Sequence, residues 1–339
     1  MTQNHRFLLM RRPNGTPVPQ DFKLVTEPVP APAPGEIVVH NHFASLDPAQ
    51  RGWMDDAPSY MPPIALGDPV RATTVGRVHA TANPDFAVGD WVLGLNGIED
   101  YSVVKAGGFT SKIDVSLAPS PSYFLSGMGA VGLTAYFGLL EAGKPQPGQI
   151  VLVSGAAGAV GSVVGQIAKI KGCRTIGIAG GADKCKRLID DYGYDVAIDY
   201  RGKSMADISR EIKAAAPDGV DIIFENVGGD ILDAGLMNLK RKARIILCGL
   251  ISEYNVAGEK LGARNLWQLI VKEATMEGFL IMHYAPRFAE GGLQIAKWMA
   301  EGKMRIDEHI EVGIENAFEA FMMLFSGKNQ GKMILQITK

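Results

Sequence analysis

The segment Ile150-Val-Leu-Val-Ser-Gly-Ala-Ala-Gly-Ala-Val-Gly161 constrains this chain more than any other. Its apolar run predicts a strand buried on both faces, a glycine turn ends that strand, and the following residues carry helical periodicity. Val160, Val163, Val164 and Ile167 form the helix's apolar stripe, Lys169 and Lys171 fall near its polar end, and Gly172 is placed to stop it. A turn of this kind lets backbone N–H groups and a helix N-terminus approach a pyrophosphate, whose charge the dipole and the unpaired donors stabilise. Gly158 removes the side chain where phosphate would sit, and Gly161 permits close packing of helix on strand. Ala156 stands at the first glycine of the G-x-G-x-x-G pattern. By itself the turn therefore also fits a structural glycine turn in another α/β protein.

The surroundings sharpen the reading. From Ile150 onward the apolar runs IVLVSG, RTIGIAG, VAIDY, VDIIFENVG and ARIILCGL alternate with helical stretches, which predicts a parallel sheet covered by helices on both faces. The N-terminal part has another style. Twelve of the 19 prolines lie in residues 1–70, and short β-type runs such as Glu36 to Asn41, Val75 to His79 and Trp91 to Leu95 alternate with turn residues. Near the C-terminus a helix from about Asn316 to Phe325, with Phe318, Phe321, Met322 and Phe325 on one face, precedes a strand in KMILQITK. A chain of 339 residues is long enough for two domains. We expect a discontinuous β-rich domain of residues 1–124 and 305–339 around an inserted α/β domain of residues 125–304.

Composition removes several classes of function. A formal net charge of −2 supplies no general attraction for nucleic acid or anionic lipid. No apolar run is long enough for a membrane span or a signal-peptide core, so a cytoplasmic location is expected. Cys173, Cys185 and Cys248 form neither a disulfide framework nor a ligand spacing, and the histidines lie apart from them, so no metal is expected. His40 and His42 share one face of a predicted strand, where paired polar strand residues are the plain reading.

The cofactor is decided about 20 residues past the glycine turn, where an NAD site places a carboxylate at the tip of the second strand. Here that strand ends Ile178-Ala-Gly-Gly181, with no acid at its tip. Lys184, in the next helix's first turn, can neutralise a 2′-phosphate, and Tyr200 after the third strand can donate a hydroxyl. NADPH is therefore expected. Asp183, displaced along the loop, is the alternative NAD-type carboxylate.

Several ordered segments together carry more information than the turn: SLDPAQRGWM, MGAVGLTAYFGL, GAAGAVGSVVGQIAKIKG, GGADKCKRL, FENVGG, CGLISEYN and GKNQGKMIL. In these the chain resembles the zinc-free medium-chain dehydrogenase/reductases, and among them the leukotriene dehydrogenase, prostaglandin reductase and alkenal or curcumin double-bond reductase group. The resemblance covers most of residues 36–339. It implies an α/β protein with a GroES-like β-rich domain and a Rossmann domain of doubly wound parallel sheet. It also implies a homodimer, joined by strand addition around Thr275 to Ile281. The first-domain cysteine and Gly-His-Glu motif of the zinc-dependent branch are missing, which disfavours zinc-assisted alcohol oxidation.

By the same resemblance Gly158, Ala159, Val160 and Gly161 look like the pyrophosphate loop, and Lys184 and Tyr200 like the 2′-phosphate contacts. Asn226, the backbone of Cys248, Gly249, Leu250, Ile251, Ser252 and Tyr254, the segment Phe279, Leu280 and Ile281, and Asn329 match further cofactor positions. Asn226 as a turn former and Asn329 as a helix cap stay open. The implied reaction is NADPH-dependent reduction of the C=C bond of an α,β-unsaturated aldehyde or ketone, a small apolar Michael acceptor. Hydride reaches the β-carbon while fixed donors stabilise the enolate. Tyr254 is the candidate catalytic donor, with a cofactor-side or lid role as its alternative. Arg51, Tyr60, Met282 and Tyr284 are candidate substrate-side residues. Ala49 and Val271 stand where relatives have tyrosines. Quinone reduction, or NADPH binding without turnover, remains open from the residues alone.

Overall fold

The computed structural model describes residues 2–338 apart from 106, 108 and 261. These fall into two compact units. One runs up to Ser126 and includes Glu308–Asn329 and the segment from Met333 on; the other holds Gly127–Asp307 with Gln330–Lys332.

The first unit is built on an antiparallel sheet. Glu36–Ser45 pairs with Arg71–Thr81, Tyr101–Lys105 and the C-terminal strand Lys332–Gln336, and Arg71–Thr81 pairs in turn with Trp91–Gly97. One face of these strands is apolar: Ile37, Val39, Val78 and Val92 cluster on it. At the other end of the unit Ala44, Leu46, Ala72, Met333 and Leu335 pack with Phe321 of the helix Ala317–Ser326. The register sets His40 opposite Tyr101 and Arg77. The His40 ring stacks on Tyr101 at 4.5 Å, His42 lies 5.1 Å from His40 and 4.9 Å from Trp91, and Arg77 sits over Trp91. The two histidines thus belong to an aromatic ladder. Among the described residues no three His, Cys, Asp or Glu side chains gather as a metal ion would require.

The second unit is a six-stranded sheet whose pairings are parallel: β1 Ile150–Ser154, β2 Arg174–Ala179, β3 Val196–Asp199, β4 Val220–Glu225, β5 Leu239–Leu247 and β6 Thr275–Gly278. Their order in the sheet is β3-β2-β1-β4-β5-β6. Alternate residues of β1 feed opposite faces: Val151 and Val153 join the layer of Val163, Val164 and Ile167, while Leu152 joins that of Ile176, Ile178, Ile223 and Ile231. A strand covered on both sides has no polar face, which is why it reads as a continuous apolar run. Because the chain leaves β1 in one direction to β2 and reaches β4 on the other side, the carboxyl ends of β1 and β4 border the crevice at which open α/β sheets bind ligands.

Helix α1, Ala159–Ile170, follows β1, and Gly172 ends it with φ +77°. Its approach to the sheet is set by glycine. A Cβ on Gly161 would collide with the Gly155 carbonyl oxygen and stand 2.7 Å from the Ala156 Cα, and one on Gly165 would enter the Tyr194 ring. Tyr194, fully buried, crosses the gap and donates its hydroxyl to the Gly161 carbonyl at 2.7 Å. Burial holds that phenol well above its usual range, so it remains a donor.

The aromatic ladder generates a pH prediction. Burial, then the His40 and Arg77 charges, pushes the His42 imidazole down to about 4 from an ordinary 6.5, and burial lowers His40 as well. His79 and Asp100 are the other titratable groups acting on His40. A histidine whose pKa is depressed on folding binds protons more readily when unfolded, so its contribution is complete above pH 6.5 and is lost as pH falls toward 4. The thermal midpoint should drop across that window in the native chain and less steeply in His42→Gln; identical pH profiles would refute the assignment.

Candidate active site

The expected site residues of the second unit collect at the carboxyl ends of β1 to β5. Past β1, Gly155 takes φ +57° and Gly158 occupies the N-cap of α1, where no side chain caps the helix. The first N–H groups of a helix have no partner within it. A Cβ on Gly158 would meet only the Gly155 oxygen, at 3.1 Å. The Gly158 N–H is itself committed to the Gly155 carbonyl at 2.9 Å, so Gly158 offers a bare approach, and the start of α1 at Ala159, Val160 and Gly161 brings the helix N-terminus and its dipole, the arrangement a pyrophosphate needs.

Two carboxylates that sequence reasoning passed over shape the loops. Glu225, buried at the tip of β4, accepts through Oε1 from Ser154 Oγ at 2.7 Å, Val227 N–H at 2.6 Å and Gly228 N–H at 2.7 Å. Burial raises its pKa against the opposing pull of those donors. Asp199, at the tip of β3, accepts through Oδ1 from the Gly181 N–H at 2.8 Å and the Arg201 N–H at 3.0 Å. Partial burial opposes ionisation there, but these N–H groups and the nearby Lys203 and Arg201 charges hold its pKa below the ordinary carboxylate value. One signal was available: each is an acid that ends a buried apolar run, Ile198 before Asp199 and Ile222 to Phe224 before Glu225.

Asn226 donates its side-chain amide to the Ser154 carbonyl at 2.7 Å and its N–H to Ser154 Oγ at 2.8 Å, bracing β4 against β1. The next loop zips onto this one. Cys248 and Gly249 donate to the Glu225 carbonyl, Ile251 to that of Asn226, and Ser252 to that of Val227 through both N–H and hydroxyl. Leu250 N–H donates to the Tyr254 phenol oxygen at 3.2 Å. These amides face inward, so what Cys248 to Ser252 offer a ligand is carbonyl oxygens and surface. Burial and the Glu225 charge push the Cys248 thiol up to about 12, which leaves it protonated and unreactive.

Lys184 stands half-buried in α2, Ala182–Asp190, and Tyr200 follows β3 with its hydroxyl 2.9 Å from where a Gly180 Cβ would be. Asp183, the alternative carboxylate, is exposed. Phe279 fills the notch left by Gly138 and packs edge-on against Phe224. Leu280 and Ile281 follow it half-buried, as does Met282. Asn329 is buried and is not the helix cap, a position Gly327 fills at φ +67°.

Two substrate-side candidates are engaged within the protein. Arg51 is 3% exposed and donates to the Pro13 and Gly15 carbonyls and to Asp55, so its guanidinium fixes a loop of the first unit. Tyr284 stacks on Phe137 at 4.8 Å as a packing residue. Tyr60 is 49% exposed beside Trp53.

Comparison with known proteins gives the same outline. Residues 5–112 match the family model described as the N-terminal domain of oxidoreductase, and residues 159–298 that described as zinc-binding dehydrogenase. The chain is 39% identical to the NADPH-dependent curcumin reductase of Escherichia coli, across 99% of this chain and 97% of that one. It is 37% identical to the NADP-dependent 2-alkenal reductase of Nicotiana tabacum, across 99% and 98%. The structure of CurA from Vibrio vulnificus in complex with NADPH superposes with a TM-score of 0.92 at 41% identity, covering 99% of both chains.

The Glu225 clamp can be tested directly. Glu225→Ala leaves three buried donors without an acceptor and should cost about 3 kcal/mol or more of stability, each such group costing roughly 1–3. Glu225→Gln keeps an oxygen in place and should cost much less. Urea denaturation of the two variants decides it; equal losses would show that the acceptor is immaterial.

Proposed function

This chain belongs to the medium-chain dehydrogenase/reductase family, in the group that holds the curcumin and alkenal reductases, and from that membership we propose that it is an NADPH-dependent enone and enal reductase. The observation that carries the reading is the set of nucleotide-facing groups at the sheet's carboxyl end. Bare backbone donors suit a pyrophosphate, and Lys184 with Tyr200 suits a 2′-phosphate. When bound, NADPH supplies a hydride for the β-carbon of the conjugated C=C bond.

The chain's own residues do the rest. Gly158 leaves room for the diphosphate, and Ala159 to Gly161 hold it through the N-terminal end of α1 and its dipole. The interlocked loops Asn226–Gly228 and Cys248–Tyr254 carry the nicotinamide side, with Phe279 to Ile281 as further contacts. Tyr254 is the donor that meets the substrate carbonyl oxygen as negative charge grows on it. Its oxygen accepts the Leu250 N–H, which helps to orient the phenol. Such a donor needs no metal, because positioning and preorganised hydrogen bonding supply the stabilisation. Met282 contributes apolar surface to a small Michael acceptor. Three free cysteines suit work in the reducing cytoplasm.

Turnover of NADPH with a panel of alkenals and alkenones should yield saturated carbonyl products. Loss of the carbonyl with the C=C bond intact, or turnover confined to quinones, would reject the assignment. Tyr254→Phe should lower kcat by roughly 10²-fold with little change in the KM for NADPH, the usual effect of deleting one donor to a developing oxyanion; an unchanged kcat would remove Tyr254 from the chemistry.

A homodimer is part of the same reading. In the helix Trp267–Lys272 and just before it, Leu266, Trp267, Ile270 and Val271 are 47%, 67%, 68% and 53% exposed, next to the edge strand β6. An apolar patch beside an open strand edge suits a second copy of the chain. Light scattering should give twice the chain mass for the native protein and the chain mass for Trp267→Glu/Ile270→Glu; a native monomer would end this reading.

A further inference from the structure

Most cations around the loop ends of β2 and β3 have carboxylate partners. Arg187 pairs with Asp191 and Asp307, Lys186 with Asp190, and Lys203 with Glu211. Among the described residues Lys184 and Arg201 make no ion pair, although they lie close enough for Arg201 to act on Lys184. After burial, the Arg201 charge is the largest influence lowering the Lys184 pKa. Arg201 is not a stray loop side chain: its Nη1 stands 3.0 Å from where a Gly181 Cβ would be, and its N–H is fixed on Asp199 together with that of Gly181. Tyr200 holds the equivalent place against Gly180. Two adjacent cations without a salt-bridge partner, Arg201 being near enough to the Asp199 charge to act on it, thus stand with a phenol around the Gly-Gly step at the start of α2. Like charges held together raise each other's energy unless an anion joins them.

We propose that Arg201 is a specificity-determining residue for the phosphorylated cofactor, donating from its guanidinium to the same 2′-phosphate as Lys184 and Tyr200. This rests on the NADPH reading above and adds a ligand to it. The fork of a guanidinium can take two phosphate oxygens while the Lys184 ammonium acts as a point charge. Asp199 is the positioning residue. Its Oδ1 is held by two backbone amides, so it orders the loops that carry Gly181 and Arg201.

The test uses binding, without turnover. Calorimetric titration of the native enzyme with 2′,5′-ADP and with 5′-AMP should show a clear preference for 2′,5′-ADP. Arg201→Ala should weaken 2′,5′-ADP about tenfold, at the lower end of what a charged hydrogen bond contributes because the group is partly in solvent, and leave AMP unchanged. Arg201→Lys should recover part of the loss. Unchanged 2′,5′-ADP affinity in Arg201→Ala, or equal losses on both nucleotides, would overturn the role of Arg201 while leaving the cofactor reading intact. A native enzyme that binds the two nucleotides equally would overturn both.

Discussion

How close helix α1 can come to strand β1 governs the nucleotide-binding unit. The Gly155 carbonyl and the Ala156 backbone occupy the space that a side chain on Gly161 would need, and the Tyr194 ring fills the corresponding space at Gly165. Close approach points the start of α1 along the end of β1, so that its first N–H groups open beyond the sheet. Tyr194 converts this steric permission into a fixed distance by donating to the Gly161 carbonyl. Larger side chains at these glycines would open the helix away from the strand and withdraw both the donors and the dipole from one place.

The carboxyl ends of the remaining strands are ordered by anions of the protein itself. Glu225 draws Ser154, Val227 and Gly228 together, and the segment Cys248–Ser252 then hydrogen-bonds onto the carbonyls of that loop. Asp199 does the same for the loops after β2 and β3. In each case a carboxylate satisfies backbone amides that a loop would otherwise leave in need of partners.

Much of this was legible in the sequence because it depends on local pattern. The five strands from IVLVSG to ARIILCGL appear as buried runs, and the glycine turn, Lys184 and Tyr200 stand at fixed distances from strand ends. Other features depend on which strand lies beside which. Asn226 reads as a turn former, but the neighbouring Ser154 makes it a brace. Arg51 reads as a substrate-side residue, while its partners at Pro13 and Gly15 are brought to it only by folding of the N-terminal segment. Tyr194 carries no local sign of its role, since the glycines it packs against lie in α1 and β2. The sequence period reports burial; it does not report the partner of a buried polar group.

Net charge bears on macromolecular partners and says little about small ligands, as the charge distribution makes clear. At −2 overall, the chain has no far-reaching field to attract a polyanion. A dinucleotide is recognised within a few ångströms, where the arrangement of individual groups outweighs their sum. Lys186, Arg187 and Lys203 are neutralised locally by Asp190, Asp191, Asp307 and Glu211, leaving the excess positive charge concentrated at Lys184 and Arg201. Neutralising the periphery makes that concentration selective: an anion gains most where its charge replaces a repulsion between neighbouring cations, and little at a cation that already has a carboxylate.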